Sequence, residues 1–137
     1  MSGRIEENTI SRLGTETAVP LDAVAGTEKV LYTAPSGKKA IPLIVVMRDF
    51  DEAIDEAVVT FGVSGGDCDE FLGNQTLTNV GAGFANEALI LQPIPNATPV
   101  AALILDAGDE FAMEITTAET TGTPTCAIDV FGYEIDV

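Results

Sequence analysis

At 137 residues the chain has the length of one domain, and with 46% apolar and 20% charged residues it has side chains enough to fold rather than stay disordered. Its 22 carboxylates against six Lys and Arg give a formal net charge of −16, which repels nucleic acid and anionic membrane and favours cationic partners. All six cations (Arg4, Arg12, Lys29, Lys38, Lys39, Arg48) lie in the first 48 positions, and from Asp49 to Val137 there are 17 carboxylates and no cation.

Residues 1–26 read as a polar N-terminal arm or edge strand, with strand character around Thr9–Val19 stopped by Pro20, which lacks a ladder donor. The polar start, with Glu6 and Glu7, is not that of a signal peptide. Residues 27–137 read as a single β-sandwich domain. Lys29–Thr33 is a short strand closed by the turn Ala34-Pro35-Ser36-Gly37, where Pro presets φ. Ala40–Arg48 is the most apolar run. Its β-branched content suits a strand buried on both faces, and it falls well short of the ~18 residues of a membrane span.

Asp49–Ala57 reads as an acidic loop before the strand Val58–Val63. Asp67–Asn86 is a long irregular stretch, of the kind that in a compact domain serves function or an interface. A short strand at Gln75–Val80 and a helical turn at Asp69–Leu72 are the two regular elements it could contain. Ala88–Pro93 and Val100–Leu105 are strands, the latter buried. In Glu110–Thr117, Phe111, Met113 and Ile115 alternate with Glu110, Ala112 and Glu114, so one face is buried and the other wet. The last strand is Thr125–Ile135, with Cys126, Ile128 and Val130 on one face and Ala127, Asp129 and Phe131 on the other. Seven or eight strands with turn signals between them and no amphipathic helix predict an all-β protein, a jelly-roll-like β-sandwich.

Histidine is absent. This excludes Ser-His-Asp and Cys-His nucleophiles and His-ligated zinc. A carboxylate-pair hydrolase needs no histidine, but with so many acids a close pair arises by chance, and sugar sites want more aromatic surface than two Tyr and six Phe provide. The chain is therefore read as non-enzymatic. Acidic turns at Asp67, Asp69 and Glu70, at Asp106 and Asp109, and through Asp49–Glu56 contain oxygen donors of the type calcium takes, yet none has EF-hand spacing. They are read as solvated turns, and no metal or cofactor is expected. Cys68 and Cys126 are read as free thiols. The cations have two readings: a face that docks on an acidic or mixed surface, or partners for the chain's own carboxylates.

The segment Val30-Leu31-Tyr32-Thr33-Ala34-Pro35-Ser36-Gly37-Lys38-Lys39-Ala40 and the strand that follows it through Val46 resemble an element of small virion proteins of tailed bacteriophages. Thr60-Phe61-Gly62 and Val130-Phe131-Gly132-Tyr133 resemble the same group, from about Glu28 onward. The chain departs from that pattern in its acidity and in its long 67–86 stretch. The resemblance implies a jelly-roll structural protein of the particle, a head decoration or cement protein. It would be made in the host cytoplasm, carried on the head surface, and would act as a homo-oligomer (trimer or dimer) bound to the major capsid protein. On that reading Arg4, Arg12, Lys29, Lys38 and Lys39 contact the capsid, while Phe71, Leu72, Leu77, Val80 and Phe84 line a contact between copies or cap the sandwich core. The competing reading is a carbohydrate- or receptor-binding module of a tail fibre, with calcium at Asp67 and Asp69.

Overall fold

A computed structural model describes residues 9–81, 87–93 and 101–137, and they form eight strands with no helix among them. These are β1 (Ser11–Pro20), β2 (Glu28–Thr33), β3 (Lys38–Arg48), β4 (Val58–Val63), β5 (Leu72–Thr76), β6 (Ala88–Leu91), β7 (Glu110–Thr117) and β8 (Thr125–Asp136). β1 pairs with β8, β2 with β7, β3 with β6 and β4 with β5, all antiparallel. The chain is thus one nested hairpin rolled around a core. Further pairing of β3 with β8 and of β4 with β7 yields two four-stranded sheets, sheet A in the order β1-β8-β3-β6 and sheet B in the order β2-β7-β4-β5. This is the jelly-roll wiring expected from the sequence.

Alternation decides the core. Val45 and Met47 of β3, with Ile128 and Val130 of β8, face Val59 and Phe61 of β4 and Phe111, Met113 and Ile115 of β7, and all of these are buried. Each such side chain contributes about 1.5–3 kcal/mol of burial free energy. Phe111 stacks with Phe61 at 6.5 Å between centroids and meets Phe71 edge-on at 5.3 Å. β1 is an edge strand, with Pro20 at its end as the missing donor requires, while Val19 and the following Leu21 turn into the core. Gly132 lies where β8 crosses the β3 bulge, and a Cβ there would strike the Ile41 carbonyl.

Three sequence expectations change. β3 is not buried on both faces: Val45 and Met47 enter the core, while Ile44 and Val46 on the outer face are only half-buried, since no second layer among the described residues covers sheet A there. The regular element in the 67–86 stretch is β5 at Leu72–Thr76, earlier than Gln75–Val80, and Asp69–Leu72 forms no helical turn. The expected strand over Val100–Leu105 is, in its described part, a single bridge. Leu105 exchanges backbone hydrogen bonds with Ala40 at 3.0 and 2.8 Å, while Ala101, Ala102 and Ile104 are exposed. The β3 edge along which such a strand would run is paired with β6 only from Val45 to Arg48. An apolar run there finds one ladder partner and no second sheet to bury its other face.

The acidic stretch after β3 closes one end of the sandwich. Phe50 and Ile54 are fully buried beneath it, and backbone bonds tie Ile54 to Val80 and Asn79, Leu77 to Ala57, and Asp51 to Thr125.

Candidate interaction surface

Register partners across a ladder share a face, which gives the outer face of sheet A three rows. Thr15, Asp129, Val46 and Ile90 form one, Arg12, Phe131 and Ile44 a second, and Ala127, Arg48 and Ala88 a third. The middle is apolar: Ile44, Val46 and Phe131 are half-buried and Ile90 is 70% exposed. An open groove of about 390 Å³, lined by Pro42, Ile44, Phe71, Gln92 and Leu103 among others, continues this surface past the sheet edge.

One polar cluster interrupts the apolar face. Asp129, 6% exposed, accepts hydrogen bonds from Arg48 Nε at 2.7 Å, Arg48 Nη2 at 3.2 Å and Thr15 Oγ1 at 2.6 Å. The Arg48 bonds hold the Asp129 carboxyl below its usual range. Burial opposes them, and Thr15 and the charge of Arg12 assist. Arg48 also pairs with Asp49.

Each lysine of the predicted cationic set has a carboxylate partner within the chain. Arg4 lies outside the described residues. Lys29 pairs with Glu16 at 3.6 Å, Lys38 with Asp136 at 2.6 Å and Lys39 with Asp106 at 3.2 Å. Lys38 and Arg48 stand at opposite ends of β3, roughly 33 Å apart at about 3.3 Å per residue. Clustering in sequence therefore reflects where β1 to β3 fall in the chain, and cross-strand neighbours from its acidic half supply most of the partners. These pairs are exposed and hold little energy. Replacing Lys29 or Lys39 by Gln is expected to change stability by less than about 1 kcal/mol, read as an unchanged urea midpoint.

Of the apolar set in the 67–86 stretch, Phe71 and Leu77 are buried in the chain's own core, and Leu72 and Val80 pack partly buried against it. Phe84 lies outside the described residues. The end-cap alternative accounts for the burial of the first two. Asp67, Asp69 and Glu70 are exposed, and Glu70 accepts from Val63 N at 2.8 Å.

Sequence reasoning missed Glu119, which is 3% exposed. Its Oε2 accepts from the backbone N–H of Asp55 (3.0 Å), Glu56 (3.0 Å) and Ala57 (3.2 Å), and its Oε1 from Thr121 N (3.2 Å). Burial opposes the charge, but the four donors outweigh it and hold the carboxyl below its usual range. Nothing in a Thr-rich acidic loop distinguishes this glutamate from its neighbours before the fold is known.

No family model matches the chain, and no curated protein does. Among solved structures the fold is similar to a chain from the "acidic stable capsid structure of Helicobacter pylori bacteriophage KHP30", at 12% identity and a TM-score of 0.51. The match covers 94% of this chain and 98% of that one. The two are therefore of nearly equal length and share the architecture from end to end.

Proposed function

We propose that this protein is a non-enzymatic structural component of a bacteriophage virion, a decoration or cement protein on the head that acts as a homo-oligomer against the major capsid protein. The observation that carries this reading is the end-to-end likeness to a chain of a phage capsid structure, in which neither chain has a large part left over. The absence of histidine and the short, well-bonded turns agree with a role in holding rather than transforming.

The contact face we assign is the outer side of sheet A. Its Ile44, Val46 and Phe131, continued by Ile90 on the edge strand β6, are apolar; Arg12 stands in the row of Ile44 and Phe131, and Arg48 in the row next to that of Val46 and Ile90. Elsewhere the surplus of carboxylates keeps copies and particles apart. Arg12 and the three paired lysines remain the residues proposed to meet an acidic capsid surface, the lysines by exchanging weak exposed partners for interfacial ones.

The protein is expected to co-sediment with assembled shells and not with free capsid subunits. Ile90→Glu places a charge at the exposed β6 margin of the apolar patch while removing little burial, so stability should hold within the roughly 0.5 kcal/mol typical of surface changes while shell binding is lost. A wild-type protein that stays in the supernatant with every shell tested would sink the proposal. Retained binding of the Ile90 variant would move the contact to another face.

A further inference from the structure

On the outer face of sheet B, Glu28 of β2 is the register partner of Glu114 of β7, and Glu114 is the partner of Thr60 of β4. The three therefore form one row on one face. Directly opposed like charges are destabilising, and no ion pair joins either glutamate to Lys or Arg among the described residues. The β4–β5 connection folds back over this row. Gly62 permits the close approach, since a Cβ there would come within 2.7 Å of the Asp69 and Glu70 nitrogens. Glu28 holds the connection's first turn, accepting from Ser64 Oγ at 2.6 Å and Gly65 N at 3.2 Å.

The fold-back sets Cys68, with no solvent exposure and φ of 52°, over the row. Its Sγ donates a long bond to Ala112 O at 3.4 Å. Sγ and one carboxylate oxygen from each of Glu28 and Glu114 lie within 4.8 Å of one another. Beside Glu114 on the same face, Thr60 is 3% exposed, and its Oγ1 makes no hydrogen bond within the chain. Two facing carboxylates, a buried thiol within 4.8 Å of an oxygen of each, and an orphaned buried hydroxyl on the same row have no account in packing alone.

We propose that Glu28, Cys68 and Glu114 form a binding site for a divalent transition-metal ion of the zinc type, with a fourth, water ligand held by the Thr60 hydroxyl. The ion would neutralise the opposed glutamates and pin the Ser64–Phe71 connection to sheet B. The donor set decides the class: zinc takes thiolate sulfur at ~2.3 Å and carboxylate oxygen at ~2.0–2.2 Å in tetrahedral array, whereas calcium takes oxygen alone. Around such an ion the donor atoms stand about 3.5 Å apart, a contraction that side-chain rotation of two half-buried glutamates can supply. Binding exchanges the thiol proton for the metal, so each ion that enters releases one proton to solvent. The site departs from the sequence expectation of no metal and does not depend on the proposed function.

The test is a titration of the intact, chelator-treated protein with cobalt(II) chloride, followed by zinc chloride. One cobalt per chain should give a thiolate-to-cobalt charge-transfer band that zinc abolishes and excess calcium does not, with one proton released and a raised thermal midpoint. Cys68→Ser should lose the band, and Cys126→Ser, whose thiol is buried elsewhere, should keep it. Should Cys68→Ser fail to fold, Glu114→Gln leaves the thiol in place and is expected to weaken cobalt binding at least tenfold. Absence of the band in the wild type overturns the site. So does a cobalt affinity unchanged by Glu114→Gln, or weak binding without the band, which is an adventitious ion on surface carboxylates only.

Discussion

Replacing Glu119 by alanine is expected to destabilise the protein by about 3–5 kcal/mol, a large share of a typical domain's total. The variant leaves four backbone N–H groups, those of Asp55, Glu56, Ala57 and Thr121, without their acceptor. Ala57 is fully buried, so water cannot replace the lost bond there. The damage extends to the end of the sandwich, because the segment so pinned carries Phe50 and Ile54 into the core. Glu119→Gln keeps the shape and one acceptor oxygen but loses the charge and presents N–H₂ to a donor. It should cost roughly half as much. Urea denaturation of both variants at neutral pH checks the order wild type, Gln, Ala.

The same carboxylate fixes a pH dependence. Its folded-state value is lowered, so its contribution is fully present above the ordinary unfolded value near 4.5 and is lost as pH falls through the folded one. The gap between wild type and Glu119→Gln should therefore be complete at pH 7 and close in acid. Self-repulsion runs the other way, since the charge of −16 shrinks as protons are taken up. Wild-type stability is expected to peak in mild acid and to fall below it, as Glu119 and Asp129 accept protons. A profile that rises monotonically into strong acid would show that these two carboxylates hold nothing in place.

How much of this the residues disclosed depends on whether the signal is local. β4 and β7 are legible to the residue: in β7 the alternation of Phe111, Met113 and Ile115 reports a buried face without reference to any partner, and in β4 a short apolar run bounded by turn residues marks a strand buried on both faces. The jelly roll followed from strand count and turn chemistry. β5 was displaced because Leu72–Thr76 (Leu-Gly-Asn-Gln-Thr) has almost no strand propensity, and only its pairing with β4 makes it a strand. Val100–Leu105 was over-read for the converse reason: its propensity is high, but its strand edge has little to pair with. Glu119, Asp129, and the row of Glu28, Glu114 and Thr60 depend on partners far away in the chain, and no spacing rule reports a register. Sequence also places the cations together, whereas the described ones fall on three strands, with Lys38 and Arg48 at opposite ends of β3.

Arg48→Met is expected to destabilise by about 2–3 kcal/mol, less than the 3–5 typical of a broken, fully buried pair, because the Arg48 side chain is 33% exposed and Thr15 still donates to the acid. The cost arises mainly at Asp129, whose side chain is only 8% exposed and is left charged without its cation. Asp129→Asn should cost less, about 1–2 kcal/mol, since the abandoned guanidinium can rehydrate. The double variant Arg48→Met with Asp129→Leu removes both charges from a face whose neighbours Val46 and Ala127 are already apolar. It should recover most of the loss, so in the cycle closed by the single Asp129→Leu variant the coupling energy is large and of opposite sign to the single effects. Acid separates this account from simple loss of packing by the Arg48 stem. Without its cation, buried Asp129 takes up a proton more readily than in the wild type, so Arg48→Met should regain ground on the wild type as pH falls, whereas a packing defect would be indifferent to pH.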